Sequence, residues 1–351
     1  MRGSNPIDKN SEILFVYEAR LCNPNGDPDR ENKPRIDPVT WRNYVTDVRL
    51  KRFFRDYIIE RMGEKYIWVT TINGENVRAD KRLEISKQEW KYRTPLDLTK
   101  YHIDARLFGA TIPIGEKKRK ETGKGENGEG KDQTTKGGEE QKEGEPATHQ
   151  IIGPVQFSIG YSLHKVETMS EVSAITSRFV GAERKGERQY GTIGRDWRVY
   201  YSLIAFYGTV SSRRARVTGL RESDIYLLDN ILWEAVHKKS VTRSKIGHFP
   251  HLYLRIQYKD GDTLFGDLRK FIIEDFNTEN VRDLKNINLL FDNLFNFLEK
   301  NKDRIDSIFI RESDEFAERF KFVENIKSRG LRLIHLPHEN VELSEDILIV
   351  K

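Results

Sequence analysis

Arg49, Lys51, Arg52 and Arg55 crowd one short stretch just after Asn23-Pro24-Asn25-Gly26-Asp27-Pro28. Guanidinium, ammonium and amide groups at that density are the donors that hold phosphates and sugars, and they fix a strand without reading its sequence. A second concentration lies at 176–197, with Arg178, Arg184, Lys185, Arg188 and Arg195 set among Phe179, Tyr190 and Trp197 and four glycines. Aromatic faces with flanking arginines are the residue types that unstack a base step and hold its phosphates. Arg213 and Arg214, in Ser211-Ser212-Arg213-Arg214-Ala215-Arg216, form a third and less specific cluster. The plain alternative for each is a solvated surface, and net charge, at +5, does not decide between them.

Other reactive types are sparse. Cys22 is the sole cysteine, which excludes an intramolecular disulfide; with no histidine near it in sequence it reads as a packed, inert thiol. His248 and His251, and His335 and His338, are each three apart, but Pro250 and Pro337 interrupt both pairs and zinc-site partners are missing, so no metal or cofactor is expected. His248 remains a candidate to stack on or hydrogen-bond to RNA. Gly123-Lys124-Gly125-Glu126-Asn127-Gly128 has dinucleotide-loop spacing without the strand and apolar helix that the motif needs.

The elements that would position these groups follow from periodicity. Residues 13–21 alternate as a strand whose first half is apolar on both faces. Two prolines and the asparagines then forbid regular structure, and Asn25-Gly26 favours a left-handed turn. Leu50, Phe53, Phe54 and Tyr57 make one apolar helix stripe, with Arg52 and Arg55 roughly opposite it. A second strand is expected over 66–72, closed by an Asn73-Gly74 turn, and a short helix over 99–108 carries Arg106 and ends at Gly109. Arg106 either contacts RNA or pairs within the protein.

The 31 residues 116–146 hold no aliphatic or aromatic side chain and seven glycines, so they read as a disordered, solvent-exposed insertion. Order resumes with alternation over 155–163 and a long apolar stretch over 197–210. A helix capped by Ser223 carries Ile225, Leu228, Leu232 and Ala235, and a strand follows over 252–258. Strand, helix, strand thus occurs twice, which points to a ferredoxin-like antiparallel sheet, the architecture of RRM domains, in which one sheet face is open to RNA. Beyond residue 262 amphipathic helices alternate with short strands; Leu290, Leu294, Phe297 and Leu298 form a stripe, and 308–310 and 347–350 read as edge or lobe strands. The lack of a long apolar run or signal peptide predicts a cytoplasmic protein with no membrane partner.

Cys22-Asn23-Pro24-Asn25-Gly26-Asp27-Pro28-Asp29, followed by TDVRLKRFFRDY at 46–57 and IDARLFG at 103–109, closely resembles the backbone subunit of type I CRISPR surveillance complexes (Cascade). Within these the subtype I-B and I-C branch is nearest, I-B first. The resemblance spans roughly 12–258. It implies an α+β fold, a modified RRM/ferredoxin-like antiparallel sheet with a projecting thumb and accessory helical and β lobes. The core would run over 12–262, the thumb over 176–197, and 263–351 would complete the core. GTIGR at 191–195, including Thr192, is similar to the end of the thumb in relatives. It further implies a non-catalytic protein whose partners are guide CRISPR RNA, a target DNA strand met through that guide, copies of itself in a helical filament, and other Cascade subunits. Type III relatives instead cut target RNA with an aspartate of the loop before the first helix, where Asp27, Asp29 and Asp37 stand here. That is the enzymatic alternative, although Asp-Pro steps and Asx turns also use such side chains structurally.

Overall fold

A computed structural model describes residues 5–113, 148–170, 172–175, 193–274, 279–339 and 341–350. The insertion at 116–146 and the thumb residues Arg178, Phe179, Arg184, Lys185, Arg188, Tyr190 and Thr192 lie outside the described residues.

The frame is β1 (Ser11–Cys22), α1 (Asp47–Met62), β2 (Val155–Phe157), β3 (Gly160–Ser162), β4 (Val199–Val210), α2 (Glu222–Lys238) and β5 (His248–Tyr258). β1 pairs antiparallel with β4 on one side and β5 on the other, and β2 and β3 both pair with β4. The order β5-β1-β4-β2/β3 is that of a ferredoxin-like sheet made from two split β-α-β units. β6 (Ile305–Glu312) extends it beyond β5, β7 (Leu333–His335) adds a parallel edge, and Tyr44–Val45 closes the far side, making eight strands.

Alternation in β1 explains the layering. Ile13, Phe15, Tyr17 and Ala19 face the layer of α1 and α2, where Leu50, Phe53, Phe54 and Ile58 meet Ile225, Leu228 and Leu232. Leu14 and Val16 face the other way, with Leu203, Leu252, Leu254 and Ile256. On that second face lies a layer from the C-terminal part of the chain, through Leu268, Phe291, Leu294, Leu298, Phe316 and Phe322. The RRM comparison therefore fails on one point: the sheet face that RRM domains offer to RNA is covered here. Burial of each such side chain stabilises by about 1.5–3 kcal/mol, so uncovering this face for a ligand would be costly.

Several elements differ from their sequence reading, each for a local reason. Residues 67–71 form no strand, because the amides of Trp68 and Val69 donate to the buried Asp104 carboxylate at 2.7 and 3.1 Å. The Asn73-Gly74 turn does form, with Ile72 and Glu75 exchanging two backbone hydrogen bonds of 2.9 Å. The helix over 99–108 is broken at His102 into Leu98–Tyr101 and Ile103–Phe108. The cap of α2 is Arg221 rather than Ser223, with Asp224 accepting from its amide at 2.7 Å. Glu345–Leu348 is a helical turn, not an edge strand. Asn25 and Gly26 are not left-handed; the left-handed residues nearby are Leu21, at the end of β1, and Glu31, Asn32 and Trp41 in the loop. Gly26 is needed for space, since a Cβ there would stand 1.9 Å from Asn32 Oδ1. No helix among the described residues is long and apolar enough to cross a membrane.

Candidate nucleic-acid interface

Four segments meet at the end of the sheet where β1 stops and β4 and β5 begin. They are the loop after β1, the first turn of α1, the turn 240–247 before β5, and the short strand Ile193–Asp196 that re-enters from the arm. Gly247 lets the turn close on β1: Arg20 donates its amide to the Gly247 carbonyl at 2.8 Å, and a Cβ on Gly247 would lie 2.0 Å from the Arg20 carbonyl oxygen. Asn23 donates its amide to the Ser244 carbonyl at 2.8 Å and its side-chain NH2 to the Asn32 carbonyl at 2.7 Å. The arm base is fixed to the same loop. Arg195 reaches Glu31 at 2.8 Å, Lys33 lies 4.4 Å over the Trp197 ring, and Arg198 donates to the Leu21 carbonyl at 2.9 Å.

Asn25 turns inward rather than outward. Its Oδ1 accepts from the Thr46 amide and hydroxyl, both at 2.9 Å, and Thr46 in turn caps α1 by accepting from the Arg49 amide. Asp27 accepts from the Asp29 amide at 3.3 Å and pairs with Arg35 at 3.4 Å. Asp37 takes the Thr40 hydroxyl and the Val39 amide, and these bonds, the hydroxyl first, hold its carboxyl below the usual range. Both aspartates thus work as turn caps.

The basic residues of α1 separate into two kinds. Lys51 is mostly buried, its ammonium 2.9 Å from Asp47 and set over the Phe108 ring. Arg52 is half-exposed and pairs with Asp56 at 2.7 Å. Arg55, expected opposite the apolar stripe, is buried on Asp104 at 2.8 Å, because Ile103–Phe108 packs over that flank. Arg49 stacks 4.0 Å over Phe53, and its Nε is sealed from solvent with no hydrogen-bond partner. Burial depresses its basicity.

Arg106 is a correction to the sequence reading. It is 0% exposed and forks onto Asp224 at 3.0 and 3.1 Å, and it also donates to the carbonyls of Thr99, Lys100, Ile347 and Leu348. A side chain so engaged has nothing left for RNA. His248 is also a correction as a stacking residue: it is buried between Tyr17 and Phe53, and burial pushes its pKa down to about 3. Its Nδ1 donates to the Lys245 carbonyl at 2.6 Å. It also stands 4.0 Å from Cys22 Sγ, a neighbour invisible in sequence, but burial drives that thiol up to about 12. Arg213 and Arg214 are exposed at the opposite end of the sheet, after the last residue of β4, roughly 35 Å away along the strand. The structure does not bring them to the α1 end. Of the other paired histidines, His251 bonds Glu18 and Ser313 and His338 bonds Asp229, while His335 is exposed.

Lys245 was not singled out by the sequence. It is placed by the turn before β5, with its ammonium 2.5 Å from the Asn23 carbonyl. Burial, and then the Arg49 charge, lower its pKa to about 8. The only local signal was the glycine two residues on, which marks a backbone bend.

A family model described as CRISPR-associated protein Cas7 matches residues 9–292. The chain belongs to the Cas7 family. A Cas7 relative from Haloferax volcanii is 31% identical over 310 residues, 86% of each chain. Two solved chains titled as CRISPR RNA-guided surveillance complexes, one of them pre-nicking, align at TM-score 0.46. They share 13% and 11% identity, over 87% and 97% of this chain and 93% and 96% of theirs.

Proposed function

We propose that this Cas7-family protein is the guide-RNA-binding backbone subunit of a type I-B-like CRISPR effector complex, laid copy by copy along one guide. The observation that carries this reading is the meeting at one sheet end of the arm base with the loop, through Arg195–Glu31 and Lys33–Trp197, and of the loop with the cap of α1, through Asn25–Thr46. A ribose-phosphate strand crossing that end passes the loop after β1 and the root of the arm together, while both sheet faces stay packed. Head-to-tail repetition of such a contact gives an open helical filament whose length the RNA sets. The protein then reads backbone and shape, and the target DNA strand is recognised through base pairing with the guide. Other complex subunits would cap the filament.

In this reading the protein does not cut RNA. Support comes from Asp27 and Asp37, whose carboxylates are spent on turn amides, a hydroxyl and Arg35. The test of the whole reading is co-expression with a guide, followed by sizing and nuclease digestion. A ladder of regularly spaced protected fragments is expected. A single protected length equal to one subunit's footprint would overturn the filament. Cleavage of a complementary RNA that Asp27→Ala or Asp37→Ala abolishes would replace it with the RNA-cutting alternative.

A further inference from the structure

Lys51, Arg52 and Arg55 each have a carboxylate within 3 Å. Arg49 and Lys245 have none among the described residues, though both are largely withdrawn from water. After burial itself, the Arg49 charge is what most depresses Lys245, and both cations depress His248. Around them lie unpaired buried polar atoms: Arg49 Nε, Asn23 Oδ1 and His248 Nε2. The imidazole cannot answer the charge, because Nδ1–H is given to the Lys245 carbonyl and the ring is neutral. Asp56 bears on Arg49 but is ion-paired to Arg52 at 2.7 Å. Two largely buried cations without an ion pair of their own are costly to hold, and a fold that holds them anyway leaves them for an anion that arrives later. The N-terminus of the 16-residue helix α1, three residues before Arg49, adds its own positive end.

We infer that Arg49 and Lys245 form a seat for one backbone phosphodiester of the bound RNA, entered from the sheet end between the loop after β1 and the turn 240–247. This rests on the RNA-binding reading above and names a ligand atom group and a residue within it. The seat is titratable. Of the groups facing Lys245, Arg49 on α1 stays charged. Cys22 on β1 and His248 on β5 are held neutral between pH 7 and 9 by their shifts to about 12 and about 3. The Arg198–Asp196–Arg243 ion group at the arm base lies beside Cys22 and completes the surroundings. Lys245 is therefore the group that changes charge in that window, and the seat weakens as pH rises through about 8.

The experiment measures affinity of the full chain for a single-stranded RNA by filter binding, at several salt concentrations and at pH 7 and 9. Lys245→Gln, Lys245→Arg and Arg49→Gln are compared with wild type, and thermal unfolding confirms that each is folded. Lys245→Gln is expected to lose about 10-fold in affinity at pH 7 and to lower the salt slope by about 0.7. Wild type falls toward that variant at pH 9, while Lys245→Arg keeps its affinity there. A folded Lys245→Gln with wild-type affinity and slope overturns the seat, as does a gap to wild type that is unchanged at pH 9. Flat salt dependence in wild type would instead sink the RNA-binding reading itself.

Discussion

α1 has two flanks that treat positive charge in opposite ways. On the side covered by Ile103–Phe108, Arg55 is buried on Asp104 and Lys51 sits on Asp47, while a step further Arg106 forks onto Asp224. On the side facing the turn 240–247, Arg49 and Lys245 lie together and neither is ion-paired to a carboxylate among the described residues; the Asp56 carboxylate that bears on Arg49 is taken by Arg52. The first flank is finished in the free protein, and its charges hold helices and lobe to one another. The second is unfinished, and its surplus charge is what a polyanion can answer. On the proposed account the same basic residue types mean structure on one side and binding on the other, and the difference lies in the paired carboxylates rather than in the cations.

The largest effect should come from breaking the finished flank. Asp224→Ala leaves Arg106 charged and buried without its counter-charge, and should cost about 3–5 kcal/mol in urea unfolding. RNA affinity per folded molecule should not change. If affinity falls with stability intact, the two flanks are not separate.

Gly247→Ala comes next, since it forces a Cβ against the Arg20 carbonyl at a φ of 117°. A loss of about 1–3 kcal/mol is expected, with weaker RNA binding because the turn carries Lys245. Unchanged binding in a folded Gly247→Ala protein would detach that turn from the interface.

A smaller effect is expected from Lys51→Ala combined with Arg52→Ala. Each loses an i,i+4 ion pair worth about 0.3–0.5 kcal/mol, so the protein stays folded. Guide binding should weaken through loss of the half-exposed Arg52, but less than in Arg49→Gln combined with Lys245→Gln. The reverse ranking by filter binding would move the interface to the other flank.

The subtlest contrast is in pH. Lys245 has a folded pKa of about 8, below its ordinary 10.5, so the unfolded chain binds more protons between those values. Its contribution to stability of the free protein therefore rises with pH from about 8 to 10.5, the window in which affinity for RNA falls. Lys245→Gln should remove both trends, read by thermal unfolding and by filter binding.

Sequence periodicity carried most of the frame. β1, β4, β5, α1 and α2 declare themselves because their apolar residues recur at 2.0 or 3.6, and the split-unit topology follows from their order. What it could not carry were partners distant in the chain. Residues 67–71 look like a strand, and only Asp104, 35 residues on, takes their amides. Arg106 and Arg49 are the same residue type on neighbouring helices, and Asp224 alone makes one of them structural. The RNA-facing sheet of RRM domains was expected from topology, but the layer that covers it comes from a part of the chain where the motifs end. Lys245 had no motif at all and is placed by the bend at Gly247.

The central claim is that RNA crosses the end of the sheet and not its face. Photocrosslinking of a single-stranded RNA carrying 4-thiouridine, followed by peptide mapping, tests this most directly. The account predicts crosslinked peptides from 20–35, 193–198 and 240–249. Crosslinks confined to 212–221 or to 263–330 would contradict it.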